Sequence, residues 1–196
     1  MSIFKAYDIR GIYGQDLCED DFYRIARAYA QFCGFCGKGR VVVARDCRKS
    51  SDSLFAAFSQ GLVDEGVDVL DIGLASTPMS YFANASLKAD GSVMITASHN
   101  TKEWNGCKLC KANAVPISGA TGIKDIEKLV AGITVDDVPT GVGEVRKVDV
   151  SADYAAHVQK FAHLKRPLRI AVDFANGMGI AEAVALKNPD LSFGAF

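Results

Sequence analysis

The sequence predicts an α/β protein with three layers, α/β/α, built on a mixed, mostly parallel sheet. Segments with strand character alternate with segments of helical spacing, and glycines stand at the joints between them. Such alternation favours a sheet with helices on both faces. The β-branched run Arg40–Ala44 is typical of a strand buried between two layers. A predicted hairpin between residues 92 and 111 makes the sheet mixed.

The first helices are predicted from apolar residues that recur at helical spacing and from the residues that end them. One helix spans Phe22–Phe32, and Gly34 after it favours a left-handed helix end. A second helix follows the strand at Arg40–Ala44, and Ser50 or Ser51 can cap its first turn.

The other elements of the first unit follow from the same reasoning. Gly66 ends the second helix, Pro78 opens the third, and Gly132 stops the fourth. The predicted order after Gly66 is strand Val67–Ile72, helix Pro78–Leu87, strand Ser92–Thr96, strand Cys107–Lys111 and helix Ile123–Val130.

The most informative stretch is Thr96–Asn100, which follows the apolar end of a strand. It places the hydroxyl of Ser98 in a polar loop, where α/β proteins present reactive groups. The pair Asn105-Gly106 predicts a turn that folds the chain back and brings Lys108 near Ser98. A serine, an ammonium group and loop amides together suit a phosphate ester.

The end of the chain predicts a second unit. Residues 133–143 are rich in turn formers, and we place a domain boundary near Val148. Residues 1–148 would form the first domain. Residues 149–196 would form a connecting helix over Ser151–Leu164 and the truncated start of a second α/β domain.

That start comprises a strand at Leu168–Asp173, a glycine loop at Asn176–Gly179 and a short helix. No second strand is predicted, and about thirty residues cannot build an independent core. We therefore expect this strand to lack neighbours, and to be mobile or to associate with another copy of the chain.

Composition excludes several classes of function. Hydrophobic residues make up 49% and charged residues 23%, as in an ordinary soluble protein. A net charge of −1 gives no basic surface for nucleic acid. No apolar run reaches the ~18–20 residues of a membrane span, and no secretory signal opens the chain. We expect a cytoplasmic protein.

Two CxxC pairs, Cys33/Cys36 and Cys107/Cys110, suggest zinc, but their separation is too long for a structural zinc module. Cys107 and Cys110 also fall in a predicted strand, where they face opposite sides. The sequence favours reduced cysteines that pack as small hydrophobes.

The whole chain resembles a known family, the α-D-phosphohexomutases, which include phosphomannomutase and phosphoglucomutase. Four stretches in the family's order carry the resemblance: Phe4–Gly11, Ala44–Ser51, Thr96–Lys108 and Leu168–Gly179. The third looks like the family's phosphoserine loop. The resemblance implies a phosphotransferase that interconverts hexose 6-phosphate and hexose 1-phosphate through a phosphoserine and a bisphosphorylated sugar.

The resemblance also implies residue roles. Ser98 would carry the phosphate, Lys108 would transfer protons or stabilise phosphate, and Arg10 would stabilise the transferring phosphoryl group. Mg²⁺ would bind Ser98 through its phosphate, together with three aspartates of the second domain. Hexose 1,6-bisphosphate would act as activator, and a mannose or glucose phosphate as substrate. Residues that would bind substrate or phosphate, or order the loop, are Tyr7, His99, Asn100 and Arg45.

Two departures from the family are visible. Thr101 stands where the family has a proline, which would loosen the loop without removing a reactive atom. The family's metal-binding run, Asp-Gly-Asp-x-Asp-Arg, does not occur in these residues. We therefore expect this chain alone to be inactive as a mutase.

Several alternatives stay open from the residues. The chain could be a non-catalytic phosphoprotein or interaction module derived from the mutase domain. A serine hydrolase is disfavoured, because there is no GxSxG and His99 is adjacent to Ser98, badly placed for a Ser-His pair. Arg45, Asp46 and Arg48 form either a structural ion-pair network or a phosphate contact.

Overall fold

The computed structural model describes residues 2–163, 165–183 and 191–195. Nine strands, six α-helices and a short 3₁₀ helix at 112–114 are present in these ranges. In chain order they are β1 (Ile9–Ile12), α1 (Glu19–Cys33), β2 (Arg40–Arg45), α2 (Ser51–Asp64), β3 (Asp68–Leu74), α3 (Thr77–Ser86), β4 (Gly91–Ile95), β5 (Trp104–Lys111), β6 (Val115–Pro116), α4 (Ile123–Gly132), β7 (Val145–Lys147), α5 (Ser151–Gln159), β8 (Leu168–Val172), α6 (Gly179–Glu182) and β9 (Leu191–Ala195).

The main sheet has the order β1-β5-β4-β2-β3-β7, and β6 pairs with β5. Strands β4, β2, β3 and β7 run parallel to one another, whereas β5 is antiparallel to both β4 and β1. The predicted mixed, mostly parallel sheet is confirmed.

Both faces of the sheet are covered, which confirms the three layers. In β2, Val41 and Val43 belong to one apolar cluster, and Val42 and Ala44 to the other, because successive side chains point to opposite faces. The first cluster includes residues of α1, α2 and α4, and the second includes residues of α3 and α5. Strand β4 is buried along its whole length.

The predicted turn at Asn105-Gly106 is wrong, because both residues lie inside β5. Asn105 is fully buried and donates from Nδ2 to the hydroxyls of Ser50 and Ser51, at 2.8 and 3.1 Å. Gly106 is opposite Arg10, and a Cβ there would lie 2.0 Å from the backbone oxygen of Ile9. The pair therefore serves close strand packing, and residues 96–103 make the connection between β4 and β5.

The segment after residue 148 differs from expectation in two ways. Helix α5 ends at Gln159, short of Leu164, which lies outside the described residues. Strand β8 has a parallel partner, β9, so the expectation of a strand without neighbours is wrong. Self-association of this segment stays a prediction. Across the described ranges, none of the helices combines the length and apolar character that crossing a bilayer requires.

Candidate active site

The serine loop, residues 96–103, begins where β4 ends, at the carboxyl edge of the parallel strands. Arg45 of β2 is the partner of Ile95, and the Asp46 amide donates to the Ile95 carbonyl at 3.0 Å. The ends of β2 and β4 therefore present their loops side by side. Ligands of α/β sheets bind at this edge.

Ser98 has an uncommon backbone conformation, with φ at +55°. Its amide donates to Oγ1 of Thr96 at 2.8 Å. Its hydroxyl lies 3.0 Å from Nδ1 of His99, so the expectation that His99 is badly placed to pair with Ser98 is wrong. The two side chains are not forced to opposite sides, because the chain is not extended here. No described carboxylate bonds to His99 in turn, so the Ser-His-acid arrangement of hydrolases does not form in this part of the chain.

A compact charge cluster lies on β1 and β5 beside the loop. The Asp8 carboxylate is 5% exposed and accepts from Nε and Nη2 of Arg10, at 2.6 and 2.5 Å. The same oxygen lies 3.3 Å from Nζ of Lys108. Nη1 of Arg10 donates to Oδ1 of Asn100 at 2.7 Å. The structure thus brings Arg10, Lys108 and Asn100 together, and Asn100 joins them to the serine loop.

This cluster is a source of positive charge. Two cations share one carboxylate, which leaves one net positive charge beside the loop. Because all three groups are at least partly withdrawn from water, that charge is less screened than at an open surface. The neighbouring Cys107 is fully buried, and burial first, then the Asp8 charge, raises the pKa of its thiol far above the ordinary value. Cys107 is consequently an inert packing group.

A cleft of about 760 Å³ opens in front of Ser98. Arg10 contacts the loop through Asn100, but neither Arg10 nor Lys108 is among the described residues that line this cleft. The cleft is lined by residues from four short segments, 46–49, 76–78, 98–103 and 176–182, and by Met94 and Thr96. Its volume is within the range of small-molecule sites.

The segment after β8 forms one wall of the cleft. The Cys47 thiol donates to the backbone oxygen of Asn176 at 3.4 Å. The hydroxyl of Ser76, the N-cap residue of α3, bonds to the carboxylate of Glu182. A hydrogen bond to Glu182, second to burial, also raises the pKa of the Tyr154 hydroxyl. These contacts attach the glycine loop 176–179 to the connection between β2 and α2 and to the start of α3.

Two residues expected at the site lie elsewhere. Tyr7 is 80% exposed and lines a separate groove of about 520 Å³ with Lys5, Ser118 and Lys124. Arg45 does not line the serine cleft among the described residues. Its guanidinium pairs with Asp52 at 2.6 Å and Asp71 at 3.2 Å, and it stacks 4.4 Å from the centre of the Phe55 ring.

In the described ranges, no three histidine, cysteine, aspartate or glutamate side chains come together as a metal site requires. The four CxxC cysteines occupy separate surroundings: Cys107 and Cys110 are buried in β5, whereas Cys33 is the last residue of α1 and Cys36 lies just after it. The residues described do not supply the ligands of Mg²⁺.

Sequence reasoning missed two parts of the site. Asp8, which the sequence analysis does not single out, holds Arg10 and Lys108 on one oxygen; its position two residues before Arg10 is the signal available in the sequence. Ser76 and Glu182 were not singled out, because their contact spans 106 residues and leaves no local pattern.

Comparison with known proteins places this chain in a family. Residues 1–136 match the family model described as phosphoglucomutase/phosphomannomutase, alpha/beta/alpha domain I. A phosphomannomutase of Klebsiella pneumoniae is 46% identical over 155 residues, covering 79% of this chain and 97% of that protein. A phosphomannomutase of Escherichia coli is 44% identical over 181 residues, covering 90% of this chain but 39% of that protein.

Solved structures agree. A phosphoglucomutase/phosphomannomutase family protein of Burkholderia thailandensis superposes with a TM-score of 0.87 at 33% identity, covering 99% of this chain and 43% of that one. The chain thus spans about two fifths of the length of several relatives that it matches. From the family model, the identities and this superposition together, the chain belongs to the phosphoglucomutase/phosphomannomutase family, the α-D-phosphohexomutases.

Proposed function

We propose that this chain carries the phosphoserine of a hexose-phosphate mutase, with Ser98 as the residue that holds the phosphate. One observation carries the proposal. The Ser98 hydroxyl faces a cleft of about 760 Å³, and its loop is bonded through Asn100 to a cluster with net positive charge. A phosphoserine brings about −1.5 to −2 charges, which such a cluster stabilises.

The proposed reaction is phosphoryl transfer, in which positioning and charge neutralisation supply most of the catalysis. The Ser98 oxygen forms a bond to phosphorus while the bond from phosphorus to a sugar oxygen breaks. The Ser98 hydroxyl lies 3.0 Å from Nδ1 of His99, which accepts the serine proton in the tautomer protonated at Nε2, and the leaving sugar oxygen takes up a proton from solvent. The reverse transfer returns phosphate to a different oxygen of the sugar.

Arg10 and Lys108 have different parts in this proposal. Arg10 is tied to Asn100 of the loop and offers a planar guanidinium, which suits the oxygens of a transferring phosphoryl group. Lys108 reaches the same carboxylate, Asp8, from β5 and adds a compact charge. Since neither residue lines the described cleft, both act by placing positive charge beside the serine loop.

The proposed substrates are hexose phosphates, mannose or glucose, with hexose 1,6-bisphosphate as the phosphate donor that primes Ser98. Mg²⁺ is proposed to bind the oxygens of the Ser98 phosphate, since hard cations prefer such ligands. The carboxylates that complete its coordination are not among the described residues, so no step is assigned to the ion. No contact to phosphate is proposed for Tyr7, because it lines a separate groove, or for Arg45, because its guanidinium is paired with carboxylates.

The test is transfer of phosphate to and from Ser98. Purified chain is incubated with glucose 1,6-bisphosphate or mannose 1,6-bisphosphate, and its intact mass is followed. We expect the two half-reactions, and not complete mutase turnover, from this chain alone: one added phosphate that Ser98→Ala abolishes and that a hexose monophosphate removes. Phosphate that is gained but never released supports instead a non-catalytic phosphoprotein. No gain, with labelling of Ser98 by a fluorophosphonate probe, supports a hydrolase and overturns the proposal.

A further inference from the structure

Arg48, in the connection between β2 and α2, is bonded to the serine loop through the two terminal nitrogens of its guanidinium. The side chain is 12% exposed, and its Nε donates to the Asp46 carboxylate at 3.0 Å. Its two terminal nitrogens donate to three backbone oxygens of the serine loop, those of Ser98, Asn100 and Thr101, at 3.1, 2.8 and 2.6 Å, and to that of Trp104, the first residue of β5, at 3.0 Å.

These contacts exclude a direct contact to phosphate in this arrangement. A guanidinium has five N–H donors, and Arg48 makes five hydrogen bonds. No donor is left for a ligand oxygen. Arg48 therefore acts on the loop and not on the substrate.

The bonds explain how Ser98 keeps its backbone conformation. A left-handed φ on a residue other than glycine persists only when its surroundings impose it. The Ser98 amide is bonded to Oγ1 of Thr96, and the Ser98 carbonyl is bonded to Arg48. Both sides of the residue are thus fixed, while its hydroxyl keeps access to the cleft.

The guanidinium is itself fixed to the strand that carries Lys108. The Asp46 carboxylate also accepts from the hydroxyl of Ser51 at 2.6 Å, and Asn105 of β5 donates to the same hydroxyl at 3.1 Å. Ser51 and Asn105 are almost fully buried. A continuous chain of hydrogen bonds therefore sets the serine loop against β5.

We propose that Arg48 is a positioning residue that holds Ser98 in the geometry for phosphoryl transfer, a role that rests on the proposed function. The role needs the fork of a guanidinium. A lysine at this position carries the same charge but has three donors on one nitrogen, which cannot reach four oxygens and a carboxylate together.

The experiment compares Arg48→Lys and Arg48→Met with Lys49→Met, which removes a charge from the same cleft without a described bond to the loop. Amide hydrogen exchange of residues 98–104 is measured in the whole chain. We expect it to rise at least about tenfold in both Arg48 variants, because several hydrogen bonds are lost together. Lys49→Met leaves the exchange unchanged.

The second readout separates positioning from simple folding. The rate of phosphate transfer from glucose 1,6-bisphosphate to Ser98 falls about a hundredfold in Arg48→Lys, as for a nucleophile displaced by about 1 Å, while the affinity for the bisphosphate is unchanged. Because Arg48→Lys keeps the charge, both measurements can be made on it if Arg48→Met does not fold.

Three results decide the matter. Unchanged exchange in Arg48→Lys overturns the proposal. Faster exchange with an undiminished transfer rate also overturns it, because the role is then structural only. A wild-type chain that never takes phosphate overturns the proposed function and with it the positioning role, while the exchange measurement still shows whether Arg48 holds the loop.

Discussion

Arg27 of α1 and Arg48 of the connection between β2 and α2, both largely withdrawn from water, use the same chemistry for different purposes. Arg27 is 5% exposed, pairs with Glu65 at 2.9 Å, and donates to the carbonyls of Thr134 and Asp137. Arg48 pairs with Asp46 and donates to three carbonyls of the serine loop and to that of Trp104 at the start of β5. Each arginine makes an ion pair with one carboxylate and, through its other donors, attaches a loop to the body of the protein.

The difference lies in what each loop does. The loop held by Arg27 leads to β7 at the edge of the sheet and lies away from the cleft. The loop held by Arg48 presents Ser98 to the cleft. A buried ion pair is therefore by itself no sign of a functional site. Whether it serves stability or the site depends on which loop it holds. Removing Arg27 should cost stability, whereas removing Arg48 should cost mainly the geometry of Ser98.

The largest effect is expected from Arg27→Met. It leaves the carboxylate of Glu65, which is 7% exposed, without its charge partner. We expect the free energy of unfolding to fall by about 3–5 kcal/mol, measured by urea denaturation. Hydrogen exchange in the serine loop should stay as in the wild type below the unfolding transition.

The control for Arg27→Met is the double variant with Glu65→Leu, which removes the stranded charge. The double variant should recover part of the lost stability. If the single variant unfolds at the wild-type urea concentration, or loosens the serine loop as much as Arg48→Lys does, the contrast between the two arginines fails.

A smaller effect is expected from Gly106→Ala, which disturbs the serine site from β5 without touching either arginine. The added Cβ would lie 2.0 Å from the Ile9 backbone oxygen, so β1, which carries Arg10, must shift. We expect a loss of about 1–3 kcal/mol in urea denaturation. Gly132→Ala is the matched control, since its Cβ meets nothing within 4 Å. Equal stability of the two variants would refute the close strand contact.

The smallest effect concerns pH and the Arg27 network. Burial, and then the hydrogen bond to Glu65, raises the pKa of the Cys36 thiol to about 11 from 9.0. As pH rises from 9 toward 11, the unfolded chain loses this proton before the folded chain does. The contribution of the Cys36 thiol to the free energy of unfolding is therefore fully present below pH 9 and falls through that window. Cys36→Ser should flatten part of that fall in urea midpoints measured across the window. An unchanged slope would show that Cys36 contributes nothing.

The layers and the hairpin were predictable because they depend on local patterns. Strand and helix periodicities are written in runs such as Arg40–Ala44, and the polar loop at Ser98 follows directly from an apolar strand. The turn at Asn105-Gly106 was wrong because the Asn105 amide bonds to hydroxyls 54 and 55 residues away, which no local rule contains.

The candidate site divides in the same way. Ser98 and Lys108 share one hairpin and could be associated from sequence. The five bonds of Arg48 and the pairing of β8 with β9 are tertiary, so the residues alone left Arg48 open between structure and phosphate binding and left β8 without a partner. Local patterns in the sequence do not predict the long-range polar contacts, nor the short strands β1, β6, β7 and β9.

The central claim is that the Ser98 hydroxyl accepts and releases phosphate. Tandem mass spectrometry of the chain, after exposure to glucose 1,6-bisphosphate and then to mannose 6-phosphate, identifies the hydroxyl that carries it. The account predicts phosphate on Ser98 alone after the first sugar and its loss after the second. Phosphate on another hydroxyl, or none on Ser98 while the chain is folded, would contradict it.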